Sequence, residues 1–446
     1  YINSKVYLRR LFSMKNRISK ALEFTSFITI LMLMIFSRSL TGLYLFGFRL
    51  GELLVGFGIF LAFLLSVNYL INKEYRYKEL NKYFLIILFL FFISLFFNNG
   101  NILNLYTYKS SSYIWTVPYL FLGINFFNLI NRKYFQYALV ATPFLIYIFG
   151  TINYPSIFQS FFVANSDKFE FQKASDILIV VLIGLVVART KLLSKKNYAI
   201  YFFSLTGLFI PLFLFMSKGS LLAFIFYFLF EIVLYFKFFK TNIRIFTICL
   251  IVGFLFFSFS TLNIWGDFSF TKPQSLFGLL DNSSELNIAD KFVDLYNTKA
   301  IDFEHPDKVI YLIDGRVYSN DVTFNWRLQI WQDVIYDLTT KNQIIFGYGY
   351  NEIIPAMDDV ERRGTDGTNE NVHNYFINIL ARGGLLQLSF FIFAYYLVIK
   401  NYFKNKEKLY ASQFLVSVFV VSFFDSSMES VRFPIIFYTI SGCFIY

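Results

Sequence analysis

Long apolar runs recur along the chain, most of them free of charge over a stretch that could cross a bilayer. Twelve such runs lie near residues 22–37, 50–71, 83–97, 112–130, 134–152, 175–190, 197–216, 219–239, 243–264, 384–400, 410–425 and 432–446. None alternates apolar and polar positions, so they read as helices and not as barrel strands. The pattern predicts an all-α polytopic membrane protein of about 12 transmembrane helices. One long polar interval, residues 265–373, separates the ninth run from the tenth. Within it NWRLQIWQDVIYDLTT (325–340) places Trp326, Ile330, Val334 and Leu338 at helical spacing. Turn signals follow in FGYGYN (346–351) and DDVERRGTDGTNEN (358–371). An interval this long with internal periodicity is expected to fold, as a largely helical cap. Three parts result: a bundle of about nine helices over 1–264, the cap over 265–373, and over 374–446 an amphipathic helix followed by the last transmembrane helices. No internal repeat or low-complexity linker interrupts them.

Composition supports the membrane reading and charge adds an orientation. Hydrophobic residues make up 57% of the chain, Phe alone occurs 62 times, and mean hydropathy is +0.54, more apolar surface than a soluble domain can hide. The net charge of +11 would suggest nucleic acid in a soluble protein, but here it is distributed by topology. Alternate connections and the N-terminal tail carry 23 Lys and Arg residues; the opposite short connections carry only Arg38, Arg49, Lys109, Lys168, Lys173, Lys218 and Arg432. Both termini are therefore expected in the cytoplasm and the cap on the periplasmic face. The cap holds 18 of the 29 acidic residues and 9 of the 40 basic ones. The first basic, apolar stretch lacks a small-residue cleavage site and is read as a helix, not a signal peptide. The chain does not start with Met, and a trimmed or tagged polypeptide is expected. Cys249 and Cys443 fall inside apolar runs, so neither a disulfide framework nor a cysteine metal site is expected.

Few residues stand out as chemistry. His373, one of two histidines, sits in NVHNYFINILARGGL (371–385), where polar sequence gives way to an apolar helix. A helix over 373–382 would put Phe376, Ile377 and Leu380 on one side and Asn374, Asn378 and Arg382 on an adjacent polar stripe. His373 could serve there as a general base or as a residue capping the helix start. Arg327, among apolar and aromatic neighbours, suits a phosphate or carboxylate; the alternative is an ion pair with Asp333 or another cap acid. Lys218 interrupts PLFLFMSKGSLLAFIF, which is expected to break into two spans at Ser217–Ser220. A cation beside a helix start forms an anion site, or else snorkels to the headgroups. Arg38 and Arg432 read as snorkelling residues, and Glu231 as a structural partner near the Lys237 level or a proton relay. The Asp358–Asp359 pair reads as solvated before it reads as a cation site. No P-loop, dinucleotide-binding glycine pattern or nucleophile elbow is present.

These pieces together resemble the O-antigen polymerase and ligase superfamily of bacterial surface-polysaccharide assembly. The likeness rests on the span count, one long late loop, Arg327 with Leu328 and Trp331, the FGYGYN turn, His373-Asn374-Tyr375, and the Gly383-Gly384 pair ten residues on. SKGS matches the family's Ser-Arg-Gly type turn with Lys218 in place of Arg, which keeps the charge and loses the planar fork. The specific match covers residues 215–222 and 325–386; elsewhere only hydropathy agrees.

The resemblance implies metal-independent, inverting transfer of a glycan from undecaprenyl pyrophosphate, without a cofactor. It implies that Arg327, Lys218 and Arg382 bind pyrophosphate, that His373 acts as base, and that Asn374, Tyr348 and Tyr350 contact acceptor or glycan. Implied partners are an undecaprenyl-pyrophosphate-linked oligosaccharide and membrane lipids, with room for a chain-length regulator and none for nucleic acid; the implied location is the bacterial inner membrane. A polymerase that extends a lipid-linked repeat unit is the leading reading, because no soluble domain of the kind some protein ligases carry is appended. A ligase acting on lipid A core or protein is the nearest alternative. A flippase or secondary transporter is disfavoured because the polar candidates gather at one face and not at the bilayer midplane, and a scaffold would leave Arg327 and His373 without purpose.

Overall fold

A computed structural model describes residues 23–71, 78–125, 132–170, 172–265, 310–363, 370–403 and 409–445. The basic N-terminal tail, several basic loop residues of the orientation count, and the first part of the cap lie outside the described residues. Helices dominate: α1 (Glu23–Thr41), α2 (Leu50–Ile71), α3 (Lys78–Phe97), α4 (Leu105–Ser110), α5 (Ser112–Trp115), α6 (Tyr119–Asn125), α7 (Lys133–Thr151), α8 (Ser156–Asn165), α9 (Ala174–Val187), α10 (Lys195–Met216), α11 (Lys218–Thr241) and α12 (Ile243–Trp265) precede the cap. The cap supplies a hairpin of β1 (Ile310–Ile313) and β2 (Arg316–Ser319), then α13 (Val322–Thr340). The chain ends in α14 (Tyr375–Phe403), α15 (Leu409–Phe424) and α16 (Arg432–Ile445). A two-residue ladder, Tyr44–Leu45 with Phe48–Arg49, closes the turn between α1 and α2.

Among the described residues every expected run overlaps helix, but length separates them. Among the described residues eight helices are long and apolar enough to cross a membrane: α1, α2, α3, α7, α10, α11, α12 and α14. The runs near 112–130, 175–190, 410–425 and 432–446 form shorter helices, so a count of twelve is not carried by length alone. α10 is the most enclosed of the eight, with 72% of its apolar window buried, and α12 the least, with 11%. Exposed Leu250, Ile251, Phe254 and Leu255 on α12 make sense only against lipid. The break expected at Ser217 is real and one residue wide: Ser217 leaves helical geometry, and its hydroxyl accepts from the Ser220 amide that opens α11.

Buried charge is paired across distant helices. Arg432 of α16 donates through Nε to Asp176 of α9 at 2.9 Å and to Ser37 of α1 at 2.8 Å, and Ser37 itself donates to Asp176 at 2.6 Å. Arg432 therefore does not snorkel; it ties three helices together. Arg38 pairs with Glu170, and Glu231 pairs with Arg189, in line with its reading as a structural partner. The Arg189 guanidinium also lies over the Tyr235 ring, 4.8 Å from its centroid.

Two features mark where the cap meets the membrane part. The described cap carries a hairpin beside its helix, closed by Asp314 and Gly315, both at left-handed φ (47° and 79°). The amphipathic helix and the tenth run, together α14, stay separate helical segments across a kink, where Gly384 leaves helical geometry (φ 72°, ψ −175°). The bend admits the 345–349 turn: Gly349 and Tyr348 amides donate to the Arg382 and Ala381 carbonyls at 3.0 and 2.7 Å. A Cβ at Gly384 would stand 2.1 Å from the Ile345 carbonyl oxygen. Gly384→Ala is accordingly expected to lower stability by at least about 1–3 kcal/mol through backbone strain alone. Gly47→Ala, also at positive φ but with nothing within 4 Å, loses less, and thermal unfolding in detergent compares the two.

Candidate functional site

The site forms where α13 lies across the start of α14. Ile330, Val334 and Leu338, the predicted apolar stripe of α13, are fully buried against Ile354, Met357, Val372 and Ala381. Trp331 fixes the crossing by donating from Nε1 to the Val372 carbonyl at 2.7 Å. One turn earlier, Trp326 sets its ring edge-on to the His373 imidazole, centroids 5.0 Å apart. Arg327 follows Trp326 on α13, and its charge acts through space on the His373 imidazole.

His373 is not the helix cap. The helix opens at Tyr375, and the Asn374 side chain accepts from the Phe376 and Ile377 amides at 3.0 and 3.1 Å. His373 precedes the cap in a left-handed conformation (φ 55°), rare for a residue with a β-carbon. That bend turns the imidazole toward Trp326 and away from the helix axis. Burial, then the charges of Arg327 and Lys173, hold its pKa down to about 3, so the ring is neutral at physiological pH.

Arg327 makes no ion pair among the described residues, and its buried Nε has no hydrogen-bond partner. The expected alternative fails because Asp333 is already engaged by Arg316 and by Arg362, the latter at 2.7 Å. Burial lowers the pKa of the guanidinium, and Asp425 and Asp321 offset part of that through space. A half-buried arginine whose inner nitrogen lacks a partner is well suited to an incoming anion. Lys218, well exposed, pairs with Asp321, which in turn caps α13 by accepting from the Phe324 amide at 2.8 Å. Burial would raise the Asp321 pKa, but the Lys218 contact, the Phe324 amide and the Arg327 charge outweigh it and lower it. Lys218 therefore stands at the first turn of the helix that bears Arg327.

The remaining candidates sit on the far side of the 345–352 turn. Arg382 is buried; it donates to the Gly349 and Glu352 carbonyls and to the Tyr106 hydroxyl, whose ring it also covers. Tyr350 is fully buried, its hydroxyl shared with Tyr113 at 3.1 Å and Gln387 at 2.5 Å. Those groups are occupied in packing, whereas Tyr348 buries a hydroxyl with no hydrogen-bond partner. Sequence reasoning passed over Lys173, Asp425 and Glu429. The last two lie in DSSMES (425–430), and two acids in a short link between the final apolar runs were the available signal.

Residues 202–392 match the family model described as O-Antigen ligase. That segment, somewhat under half of the chain, is similar to the O-antigen ligase family. It runs from α10 through the cap into the first half of α14 and contains Lys218, Arg327, His373 and Arg382. The resemblance to the O-antigen polymerase and ligase superfamily holds over these residues. No curated protein matches the chain.

Proposed function

We propose that the chain moves a glycan from undecaprenyl pyrophosphate to an acceptor hydroxyl at the periplasmic face of the inner membrane, by inverting transfer without a metal. The observation that carries this reading is Arg327, a half-buried arginine whose buried Nε has no hydrogen-bond partner and which makes no ion pair among the described residues, one residue from the Trp326 ring against His373. Pyrophosphate is a good leaving group whose departure asks for positive charge, and the Arg327 fork with Lys218 beside it supplies that charge. The acceptor hydroxyl must lose a proton as it attacks the anomeric carbon, and His373 takes it at an imidazole nitrogen. An imidazole held down to about 3 is a weak base while Arg327 is uncompensated. Donor pyrophosphate beside Arg327 cancels that charge and strengthens the base, so proton acceptance is coupled to donor binding.

A lipid-linked repeat unit is the acceptor in our leading reading, which makes the chain a polymerase. The family description favours the second reading, a ligase passing the glycan to lipid A core or protein. Purified protein incubated with a lipid-pyrophosphate-linked repeat unit separates them: a ladder of repeats means polymerase, and product only with an added core acceptor means ligase. His373→Ala is expected to slow either transfer roughly 100-fold, the low end for a base of modest strength. Full activity in that variant removes His373 from the chemistry.

A further inference from the structure

Near Arg327 the cap meets the membrane helices through a small contact whose polar half is Asp321. One carboxylate oxygen of Asp321 caps α13 by accepting from the Phe324 amide at 2.8 Å; the other pairs with Lys218 at the break between α10 and α11. The apolar half is Phe324 against Phe424 at the end of α15, ring centroids 6.0 Å apart. Gly219 lets that end come close, since a Cβ there would stand 2.7 Å from the Phe424 Cβ. On its other side the start of α13 is tied to β2: Ser319 Oγ accepts from the Asp321 amide at 3.2 Å, and the Asn325 side chain accepts from the Ser319 amide at 3.0 Å. The Lys218 side chain is 84% exposed on a flexible four-carbon stem. An ion pair so exposed adds little stability, and its consequence is the place where it keeps the ammonium.

We propose that Asp321 is a positioning residue that holds Lys218 in register with Arg327, so that the two cations together span a diphosphate. Arg327 stands six residues beyond Asp321, about 9 Å along α13. Two long side chains close that gap more readily around two linked phosphates than around one. An ammonium has three N–H donors, so Lys218 keeps one on Asp321 and turns the others to the donor. Asp321 thereby removes in advance part of the entropy cost of ordering a free lysine. It touches neither donor nor acceptor and acts through Lys218. The inference rests on the proposed transfer from a pyrophosphate donor.

Asp321→Asn keeps a side-chain oxygen for the Phe324 amide and loses the charge, which separates the cap from the ion pair. The variant should unfold in detergent at the temperature of wild type. With a lipid-pyrophosphate-linked repeat unit its kcat should fall roughly tenfold while the donor KM changes less. Lys218→Ala should lose about as much, and adding Asp321→Asn to it should cost nothing further. Losses that multiply in the double variant overturn the proposal, because Asp321 would then act independently of Lys218. So does an Asp321→Asn protein with the kcat of wild type, or one that fails to fold. Calorimetric binding of inorganic pyrophosphate and inorganic phosphate tests the spacing without turnover. Wild type should prefer pyrophosphate by roughly tenfold, and Asp321→Asn should lose most of that margin. An equal margin in the two proteins, or none in wild type, overturns the positioning role even where transfer persists. Wild type that transfers nothing but shows the margin, with its loss in Asp321→Asn, refutes the transferase reading and leaves the positioning role standing.

Discussion

Arg327→Ala should reduce glycan transfer by roughly 1,000-fold while the protein remains folded. The magnitude follows from where the charge sits. Arg327 is half-buried with its Nε buried, and the cations around it are engaged elsewhere: Arg316 and Arg362 with Asp333, and Lys218 with Asp321. Arg327→Lys should recover only a small part, because a point charge cannot reproduce two parallel N–H donors toward a diphosphate. Product ladders from a lipid-linked repeat unit measure the loss, and activity within about tenfold of wild type would move pyrophosphate binding elsewhere. The same variant makes a second expectation with a fixed sign. Removing the cation beside His373 stabilises the imidazolium, so the His373 pKa should rise from about 3 toward the ordinary histidine value. Nitrogen chemical shifts of labelled histidine, in a chain that has only two, would report the change.

The parts of this site governed by local periodicity were legible in the sequence, and those governed by distant packing were not. Ile330, Val334 and Leu338 repeat at helical spacing, and that stripe is the buried face of α13. Ser217 next to Lys218 marked the break between α10 and α11 because a serine hydroxyl can cap a helix start. The β1–β2 hairpin carried a readable signal in Asp314-Gly315, yet only the helical period that follows was read, toward a largely helical cap. His373 and Asn374 were one residue out of register: the amide side chain that caps α14 belongs to Asn374, which leaves His373 outside the helix. Nothing local distinguishes Glu429 from a solvated acid, since its burial depends on α5, α14 and α15 closing around it. Nor does hydropathy reveal that Arg432 and Asp176, 256 positions apart, share a bond.

That bond carries the other large effect. Asp176→Ala should destabilise the folded protein by about 3–5 kcal/mol, because it leaves Arg432 buried with only the Ser37 hydroxyl. The loss should appear as a lower unfolding temperature in detergent and poorer recovery of monodisperse protein, and a shift of about a degree or less would show the pair to be dispensable. Replacing both partners with apolar residues of similar size should restore most of the stability, since the cost arises from the unpaired charge and not from the missing attraction. Arg432 and Arg327 form an informative contrast. Arg432 is 8% exposed and fully engaged by α1 and α9, which is how a fold uses a buried cation. Arg327 is half-buried, its buried Nε has no hydrogen-bond partner and no carboxylate pairs with it among the described residues, an arrangement that suits a cation completed by a ligand. Variants of Arg432 should therefore lose protein while the surviving fraction keeps its specific activity, and variants of Arg327 should keep protein and lose activity. If both arginines behaved alike, the separation between structural and functional cations would collapse, and with it the assignment of Arg327 to the donor.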